Sequence, residues 1–201
     1  MYDKYQNQCN WLTFFDFDEY LVLFSEDGKE LALKEYLSNQ KFNNCEAIGF
    51  NWVNYGDNDL LYYDNRSSIE RFTKPNFNDG ANKFVKSIVR GHLNKKTFIP
   101  GKGNHQPNED VKLCNTKGER APYHSDWLIP PIYKYGYLKH FTRTADEYAD
   151  KVIRGHPGNQ ALDMNDRVKA FFYRNRFSKE KLEIFEKKFN RTINYIKWKK
   201  N

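Results

Sequence analysis

Three acidic side chains interrupt an apolar stretch near the start of the chain. Asp16 and Asp18 break the run that extends from Trp11 to Leu23, and Glu19 follows at once. Residues two apart on a strand point the same way, so a turn after Asp18 would bring all three carboxylates to one ion. Oxygen ligands suit Mg²⁺ or Mn²⁺, which keep open positions for phosphate oxygens. The spacing predicts a metal and diphosphate site, and the alternative is a plain strand end with acids in a solvated turn.

The elements around these acids predict an α/β fold. The apolar run is typical of a strand buried on both faces. Further strands are predicted at 46–55, within 83–99 as a hairpin or two short strands, and at 133–141. Helices are predicted at 29–39 after a turn at Gly28, after a capping box at Thr144–Glu147, and after a cap at Ser178. We expect a core over 1–160 and a C-terminal helical extension over 161–201, with an amphipathic last helix packed on that core.

The bulk composition narrows the partner classes. Lys and Arg number 33 against 26 Asp and Glu, which leaves a net charge of +7. Much of the excess lies at 167–200, which favours a solvated helix face over a binding surface. A nucleic-acid-binding protein is the weaker alternative, because no helix-turn-helix, RNA-recognition or zinc pattern is present. No apolar run approaches the length of a membrane span.

The cysteines indicate a compartment. Cys9, Cys45 and Cys114 are odd in number and widely spaced. They form neither a zinc pattern nor a disulfide framework, which is typical of a reducing environment. We therefore expect a cytoplasmic protein.

Five short segments, taken in order, carry a family resemblance. They are Trp11–Leu21, Ile48–Trp52 with Tyr55–Gly56, Ile69–Phe72, Lys86–Val89 and Lys139–Gly155. Together they resemble the glycosyltransferase 2-like and family-92-like group of GT-A enzymes. Lys139 stands where that group has Asn, and Arg143-Thr144 stand where it has Lys-Ser. The match covers residues 11–155 and extends only loosely to the C-terminal segment.

The resemblance implies a GT-A-like mixed sheet and a metal-dependent hexosyltransferase. Such an enzyme moves a sugar from a nucleotide-sugar, here a UDP-sugar, to a glycan or other hydroxyl acceptor, with inversion. Mn²⁺ or Mg²⁺ would stabilise the diphosphate leaving group. The residues implied are Asp18, Asp16 and His140 for the metal; Asp16, Lys86, Arg71 and Arg154 for the donor; Asn51 and Trp52 for the acceptor; and Glu70 or Asp79 as base.

Several alternatives stay open at this point. Glu19 is either a supporting residue of the site or a solvated turn residue, and His105 is favoured as a loop residue over a site residue. Only fifteen residues precede Asp16, so we expect the fold to lack most of the nucleotide-binding half that opens a GT-A domain. A non-catalytic remnant that binds a sugar or a partner is the second hypothesis. A homodimer or a complementing chain that completes an open sheet edge is a further expectation.

Overall fold

The computed structural model describes residues 2–98, 105, 107–121, 128, 130–155 and 164–190. Within them the chain is mixed α/β, which confirms the predicted class at that level. It forms two compact units. The first consists of Met1–Val53 and Phe77–His140, and the second of Asn54–Asn76 and Phe141–Asn201. The boundary predicted after residue 160 falls within 156–163, outside the described residues, and it stays a prediction.

The strands and helices follow one another in a mixed order. The strands are β1 (Trp11–Leu12), β2 (Glu19–Leu23), β3 (Ala47–Tyr55), β4 (Pro75–Asn76), β5 (Val85–Arg90), β6 (Leu113–Cys114) and β7 (Gly136–Phe141). The helices are α1 (Tyr2–Tyr5), α2 (Leu33–Leu37), α3 (Ser68–Arg71), α4 (Ala145–Arg154), α5 (Met164–Arg174) and α6 (Lys179–Phe189). Short 3-10 helices lie at Gln40–Phe42 and Gly80–Lys83.

The sheet contains both parallel and antiparallel pairs. Its strand order is β1-β5-β3-β7-β2. Strand β5 runs antiparallel to β1 and to β3, whereas β6 runs parallel to β3. Strand β2 pairs antiparallel with β7, and β4 pairs with the last two residues of β3. The apolar run of the sequence thus supplies both ends of the strand order, β1 and β2.

The prediction of a strand buried on both faces at 11–16, in the first part of that run, is wrong. The run divides at residues 13–18, and both β1 residues are only half-buried. In β2, Tyr20 is exposed while its neighbour Glu19 is buried. Because β1 and β2 lie at the ends of the strand order, they have fewer neighbours to cover them than a central strand has. A hairpin or two short strands were expected within 83–99, but the described part of this range, 83–98, has one strand, β5, and Gly91 follows its last residue.

Gly91 is required by a close backbone approach. A Cβ atom at this position would lie 1.7 Å from the carbonyl oxygen of Cys9 and 2.6 Å from that of Gln6. The Gly91 amide donates to Asn10 O at 2.9 Å. The segment before β1 therefore packs directly on the end of β5.

Two apolar clusters of the first unit take alternate residues of the central strand β3. Ile48 and Phe50 belong to one cluster, with Leu23, Ile88 and Leu138. Ala47 belongs to the other, whose buried members also include Tyr2, Val85, Val89, Val111, Leu113, Ala121 and Leu128. Successive side chains of a strand point to opposite faces, so the two clusters lie on the two faces of the sheet.

The second unit has its own apolar core. Helices α4, α5 and α6 contribute buried side chains to it: Ala145, Ala149, Val168, Phe171, Ile184 and Phe185. The predicted capping box is present, since Thr144 Oγ1 accepts from Glu147 N at 3.2 Å and Glu147 Oε2 accepts from Thr144 N at 3.2 Å. Ser178 Oγ accepts from Lys181 N at 3.2 Å, as predicted for the cap of α6. Helix α4 ends at Gly155, whose φ is +77°.

The reading of the cysteines as unpaired is wrong for two of the three. Cys45 and Cys114 form a disulfide, and Cys9 is free and exposed. Cys45 lies two positions before the first residue of β3, and Cys114 is the last residue of β6. The two strands pair in parallel, with Ile48 opposite Cys114. Sixty-nine positions separate the two cysteines, so their pairing depends on the sheet and not on a local spacing pattern.

None of the helices in the described ranges combines the length and apolar composition needed to cross a membrane.

Candidate functional site

One face of the sheet in the first unit carries both an apolar core and a polar cluster. Strand pairing places Phe50 opposite Lys86 and Ile48 opposite Ile88. It also places Glu19 opposite His140 and Leu21 opposite Leu138. Directly paired residues share a face of the sheet. The apolar side chains of these strands therefore lie on the same face as charged and aromatic side chains. The polar cluster consists of Asp16, Glu19, Trp52, Lys86, His105 and His140.

Lys86 lies at the centre of the charged groups. Its Nζ atom lies 2.9 Å from Asp16 Oδ2 and 3.6 Å from Glu19 Oε2. The lysine side chain is 4% exposed and the Glu19 side chain is fully buried, whereas the Asp16 side chain is 66% exposed. A buried ammonium is unfavourable unless it is paired. The two carboxylates supply that pairing, and one of them faces solvent.

A short turn holds the two acids together. Glu19 N donates to Asp16 O at 3.0 Å, and Asp16 N donates to Glu19 Oε2 at 2.9 Å. Phe17, between them, is fully exposed. The reciprocal bonds fix the Asp16 backbone against the first residue of β2. The turn therefore orients the exposed carboxylate without a side-chain contact from Phe17.

The two carboxyl groups differ in their electrostatic environment. Burial acts to raise the pKa of Asp16, but the bond to Lys86 and its charge outweigh burial, and this pKa lies below its usual value. The charges of His105 and His140 act in the same direction. Burial raises the pKa of Glu19 to about 7, against the opposing effects of the Asp16 amide and Lys86. Asp16 is thus the stable anion of the cluster.

Aromatic rings form the second half of the site. The His140 imidazole stacks on the Trp52 indole, with ring centroids 4.1 Å apart and planes 3° from parallel. His105 meets Trp52 edge to face at 5.6 Å. His105 Nδ1 lies 3.0 Å from Val85 O, and because a carbonyl only accepts, that nitrogen carries the hydrogen. Trp52 is therefore held on two sides by histidines.

Two atoms of the cluster have unmet hydrogen-bonding capacity within the part of the chain that the structure describes. Glu19 Oε1 and Trp52 Nε1–H are both buried and have no hydrogen-bond partner there. An unpaired buried polar atom is destabilising by roughly 1–3 kcal/mol. Such atoms are typical of sites that hold water or a ligand.

The arrangement does not fit the predicted metal site as it stands. In the described ranges, no group of three or more His, Cys, Asp and Glu side chains is placed to hold a metal ion. The Asp16 carboxylate instead accepts from Lys86 at 2.9 Å. Asp18, half-buried in the turn, and His140, stacked on Trp52, were the other predicted ligands. A divalent ion on the same Asp16 oxygen would lie close to the lysine ammonium, and like charges repel.

Asn51, for which the acceptor role stays a prediction, has its side-chain amide bonded within the protein. Its Nδ2 atom donates to the carbonyls of Asn82 at 3.1 Å and Lys83 at 3.2 Å, and to that of Leu128 at 3.1 Å. Its Oδ1 atom accepts from Ile132 N at 3.1 Å. The residue is 1% exposed. All polar atoms of the amide are bonded within the protein, so Asn51 joins loops to β3.

Asp79 lies in the first unit, at a helix cap. It is buried, and its Oδ1 atom accepts from Ala81 N at 2.8 Å at the start of the 3-10 helix Gly80–Lys83. This bond accounts for the choice of an aspartate at the cap. Its role as base is not tested by the contact and stays a prediction.

The remaining predicted residues belong to the second unit. Glu70 is exposed, and its Oε2 atom accepts from Ser67 N at 2.8 Å and Ser67 Oγ at 2.7 Å. These bonds hold the pKa of Glu70 below its usual value, which disfavours proton uptake. Arg71 is buried and its Nη1 atom lies 2.7 Å from Glu147 Oε2. Arg154 is exposed at the end of α4. Capping and ion pairing thus account for Glu70 and Arg71, whose site roles stay predictions.

Sequence reasoning underrated two members of the cluster. The sequence does not decide whether Glu19 supports the site or lies in a solvated turn, and it favours His105 as a loop residue. The sequence alone does not predict that Glu19 lies opposite His140, because this contact depends on β2 and β7 being adjacent strands of the sheet. Alternation along β2, in which Glu19, Leu21 and Leu23 share a face, was the available signal.

Comparison with known proteins adds no relative. No family model, no curated protein and no solved structure matches the chain. The resemblance to GT-A glycosyltransferases therefore stays a prediction.

Proposed function

We propose that the first unit carries the sugar-transfer site of a GT-A-like glycosyltransferase. The donor is a nucleotide-sugar, with a UDP-sugar as the first choice, and the acceptor is a hydroxyl of a glycan. One observation supports the proposal above all. Asp16, Trp52, Lys86 and His140 were predicted from four separate segments, and they lie together on one face of the sheet.

The chemistry of the cluster suits glycosyl transfer. The reaction passes through a transition state with positive charge on the sugar and negative charge on the leaving diphosphate. The exposed Asp16 carboxylate can interact with the first, and a cationic neighbourhood of Lys86 and histidines favours the second. Trp52 and His140 are both half-buried, so the parts of this aromatic pair that stay uncovered can offer apolar surface to a sugar ring. The predicted Mn²⁺ or Mg²⁺ would add a Lewis acid at the leaving diphosphate, and it stays a prediction.

Donor turnover tests the proposal directly. The purified chain is incubated with UDP-sugars, with and without Mn²⁺, and UDP release is measured. We expect release that falls at least about tenfold in Asp16→Asn and in Trp52→Ala, the usual scale for loss of a positioned group. Asp27→Asn is the matched control, because Asp27 is an exposed turn residue bonded to Ser25. Turnover that is equal in wild type and Asp16→Asn would refute the site.

A non-catalytic sugar-binding module is the second candidate. Two observations favour it. The side-chain amide of Asn51 is fully hydrogen-bonded within the protein, and Lys86 already pairs with both carboxylates. Such a module would bind sugars on Trp52 without releasing UDP from any donor. Sugar binding that is lost in Trp52→Ala, together with no turnover, would select this reading.

Location is a separate proposal. The cytoplasmic location stays a prediction, and the Cys45–Cys114 bond removes the support that unpaired cysteines give it, because disulfides persist in oxidising compartments. A homodimer or a complementing chain at a sheet edge stays a prediction. Analytical ultracentrifugation of the purified chain measures it.

A further inference from the structure

The cation at the centre of the site is the Lys86 ammonium. The sequence predicts a divalent metal ion there. Lys86 Nζ touches both Asp16, at 2.9 Å, and Glu19, at 3.6 Å. These are the same kinds of oxygen that Mg²⁺ and Mn²⁺ prefer. The ammonium therefore has the position and the partners of a bound cation.

Burial fixes the ammonium in that place. Lys86 is 3% exposed, and its β5 position places it opposite the fully buried Phe50. A lysine that could withdraw to solvent would leave its carboxylates available to an ion. Here the surrounding apolar face keeps the side chain inside, and the two acids supply the pairing that makes its burial tolerable.

A divalent ion and this ammonium exclude one another. A Mg²⁺ ion ligated by Oδ2 of Asp16 would lie about 2.0–2.1 Å from that oxygen. The ammonium already lies 2.9 Å from Oδ2 of that carboxylate. Two cations this close repel strongly in a partly buried site.

The same carboxylates still have unused coordinating capacity. Glu19 Oε1 is buried and has no hydrogen-bond partner among the described residues, while its second oxygen faces Lys86. Among the described residues, Lys86 forms the shortest ion pairs of Asp16 and Glu19. Removal of its ammonium therefore leaves the oxygens of both carboxylates available to another cation. That is the donor set of a weak divalent-ion site.

We propose that Lys86 is the resident cation of this site, so that it takes the place of the predicted Mn²⁺ or Mg²⁺ and closes the Asp16–Glu19 pair to divalent ions. The consequence for ligand binding rests on the proposed function: a nucleoside diphosphate binds to the wild-type chain without added metal. The consequence for metal binding does not rest on it. Removal of the ammonium converts the pair into a site that accepts Mn²⁺.

Mn²⁺ titration followed by the electron paramagnetic resonance signal of the free ion tests the metal half. We expect wild type to bind Mn²⁺ more weakly than about 1 mM, and folded Lys86→Met to bind at least about tenfold more tightly. The gain should vanish in the double variant Lys86→Met/Asp16→Asn. Lys86→Arg, which keeps the charge, and Lys83→Met, which removes a neighbouring half-buried lysine outside the acid pair, should show no gain.

Two results of the Mn²⁺ titration would overturn the proposal. One is tight Mn²⁺ binding by wild type that disappears in Asp16→Asn. The other is a folded Lys86→Met variant that binds Mn²⁺ no better than wild type.

Calorimetry with UDP keeps the proposal testable if Lys86→Met does not fold. We expect the Kd of UDP for wild type in EDTA and in Mn²⁺ to agree within about threefold, and a gain of about tenfold with Mn²⁺ would contradict Lys86 as the resident cation. If UDP binds under neither condition, the proposed function fails. The Mn²⁺ titration of wild type and of Asp16→Asn then decides the metal half by itself.

Discussion

Lys181 in the second unit resembles Lys86 in its surroundings, and it allows the energy of a buried lysine to be tested away from the site. Its Nζ atom lies 2.8 Å from Asp57 Oδ2 and 3.0 Å from Asp59 Oδ1, and it also donates to Arg176 O at 2.9 Å. The Lys181 side chain is 1% exposed and that of Asp57 is 3% exposed. Each lysine therefore joins one buried and one more exposed acid.

We expect Lys181→Met to destabilise the protein strongly. The variant keeps the length of the side chain and leaves Asp57 buried without its cation, and loss of one partner of a buried pair lowers the free energy of unfolding by about 3–5 kcal/mol. Asp59 is 48% exposed, so Asp59→Asn should lower it by at most about 1 kcal/mol. Urea denaturation of the three proteins measures the difference. Equal losses in both variants would contradict the assignment of Asp57 as the essential partner.

At the scale of elements, helix α4 depends on its first turn. Thr144 is fully buried, and its hydroxyl caps the helix while Glu147 returns a bond to its amide. Thr144→Ala should lower the free energy of unfolding by about 1 kcal/mol, within a usual range of 0.5–2 kcal/mol. Thr144→Ser keeps the hydroxyl and should retain most of the stability. A Ser variant as unstable as the Ala variant would mean that the methyl group, and not the cap, is what matters.

Glu147 makes the stability of the same element dependent on pH. Burial acts to raise the pKa of Glu147, but Arg71 and Thr144 outweigh it, and the folded pKa lies below the ordinary 4.5. A depressed pKa means that the unfolded chain binds the proton more readily. The contribution of Glu147 is therefore complete above pH 4.5 and is lost as the pH falls through the folded pKa.

Glu147→Gln tests that linkage. The variant should be less stable than wild type near pH 7, and the difference should shrink as the pH falls to about 3, because the wild-type carboxyl is then protonated. Urea melts across this range measure it. Glu183→Gln is the control, since Glu183 is an exposed partner of Lys179 in α6. A gap between Glu147→Gln and wild type that stays constant with pH would show that shape, and not charge, is responsible.

At the scale of the whole molecule, local signals in the sequence predicted more than distant ones. The Thr144 and Ser178 caps and the strand at 46–55 follow from neighbouring residues, and all three are present. The pairing of Asp16 with Lys86, 70 positions apart, and that of Cys45 with Cys114 depend on which strands become neighbours. No spacing rule encodes that order. The burial predicted for the apolar run at 11–23 was wrong for the same reason, because that burial depends on where β1 and β2 lie in the sheet.

The last prediction concerns the Cys45–Cys114 disulfide, a covalent link within the first unit. It closes a loop across a separation of 69 positions, for which chain entropy gives a stabilisation of about 4 kcal/mol. Reduction, or Cys45→Ser with Cys114→Ser, should lower the melting temperature markedly. Cys9→Ser should leave it unchanged, because Cys9 is exposed and free.

The Cys45→Ser/Cys114→Ser double variant is the control for other effects of the reducing agent. If dithiothreitol lowers the melting temperature of wild type but not that of the double variant, the loss is due to the Cys45–Cys114 bond. If wild type melts at the same temperature with and without dithiothreitol, while mass spectrometry finds the bond intact beforehand, the loop is already closed by the β3–β6 contact and the covalent link adds nothing.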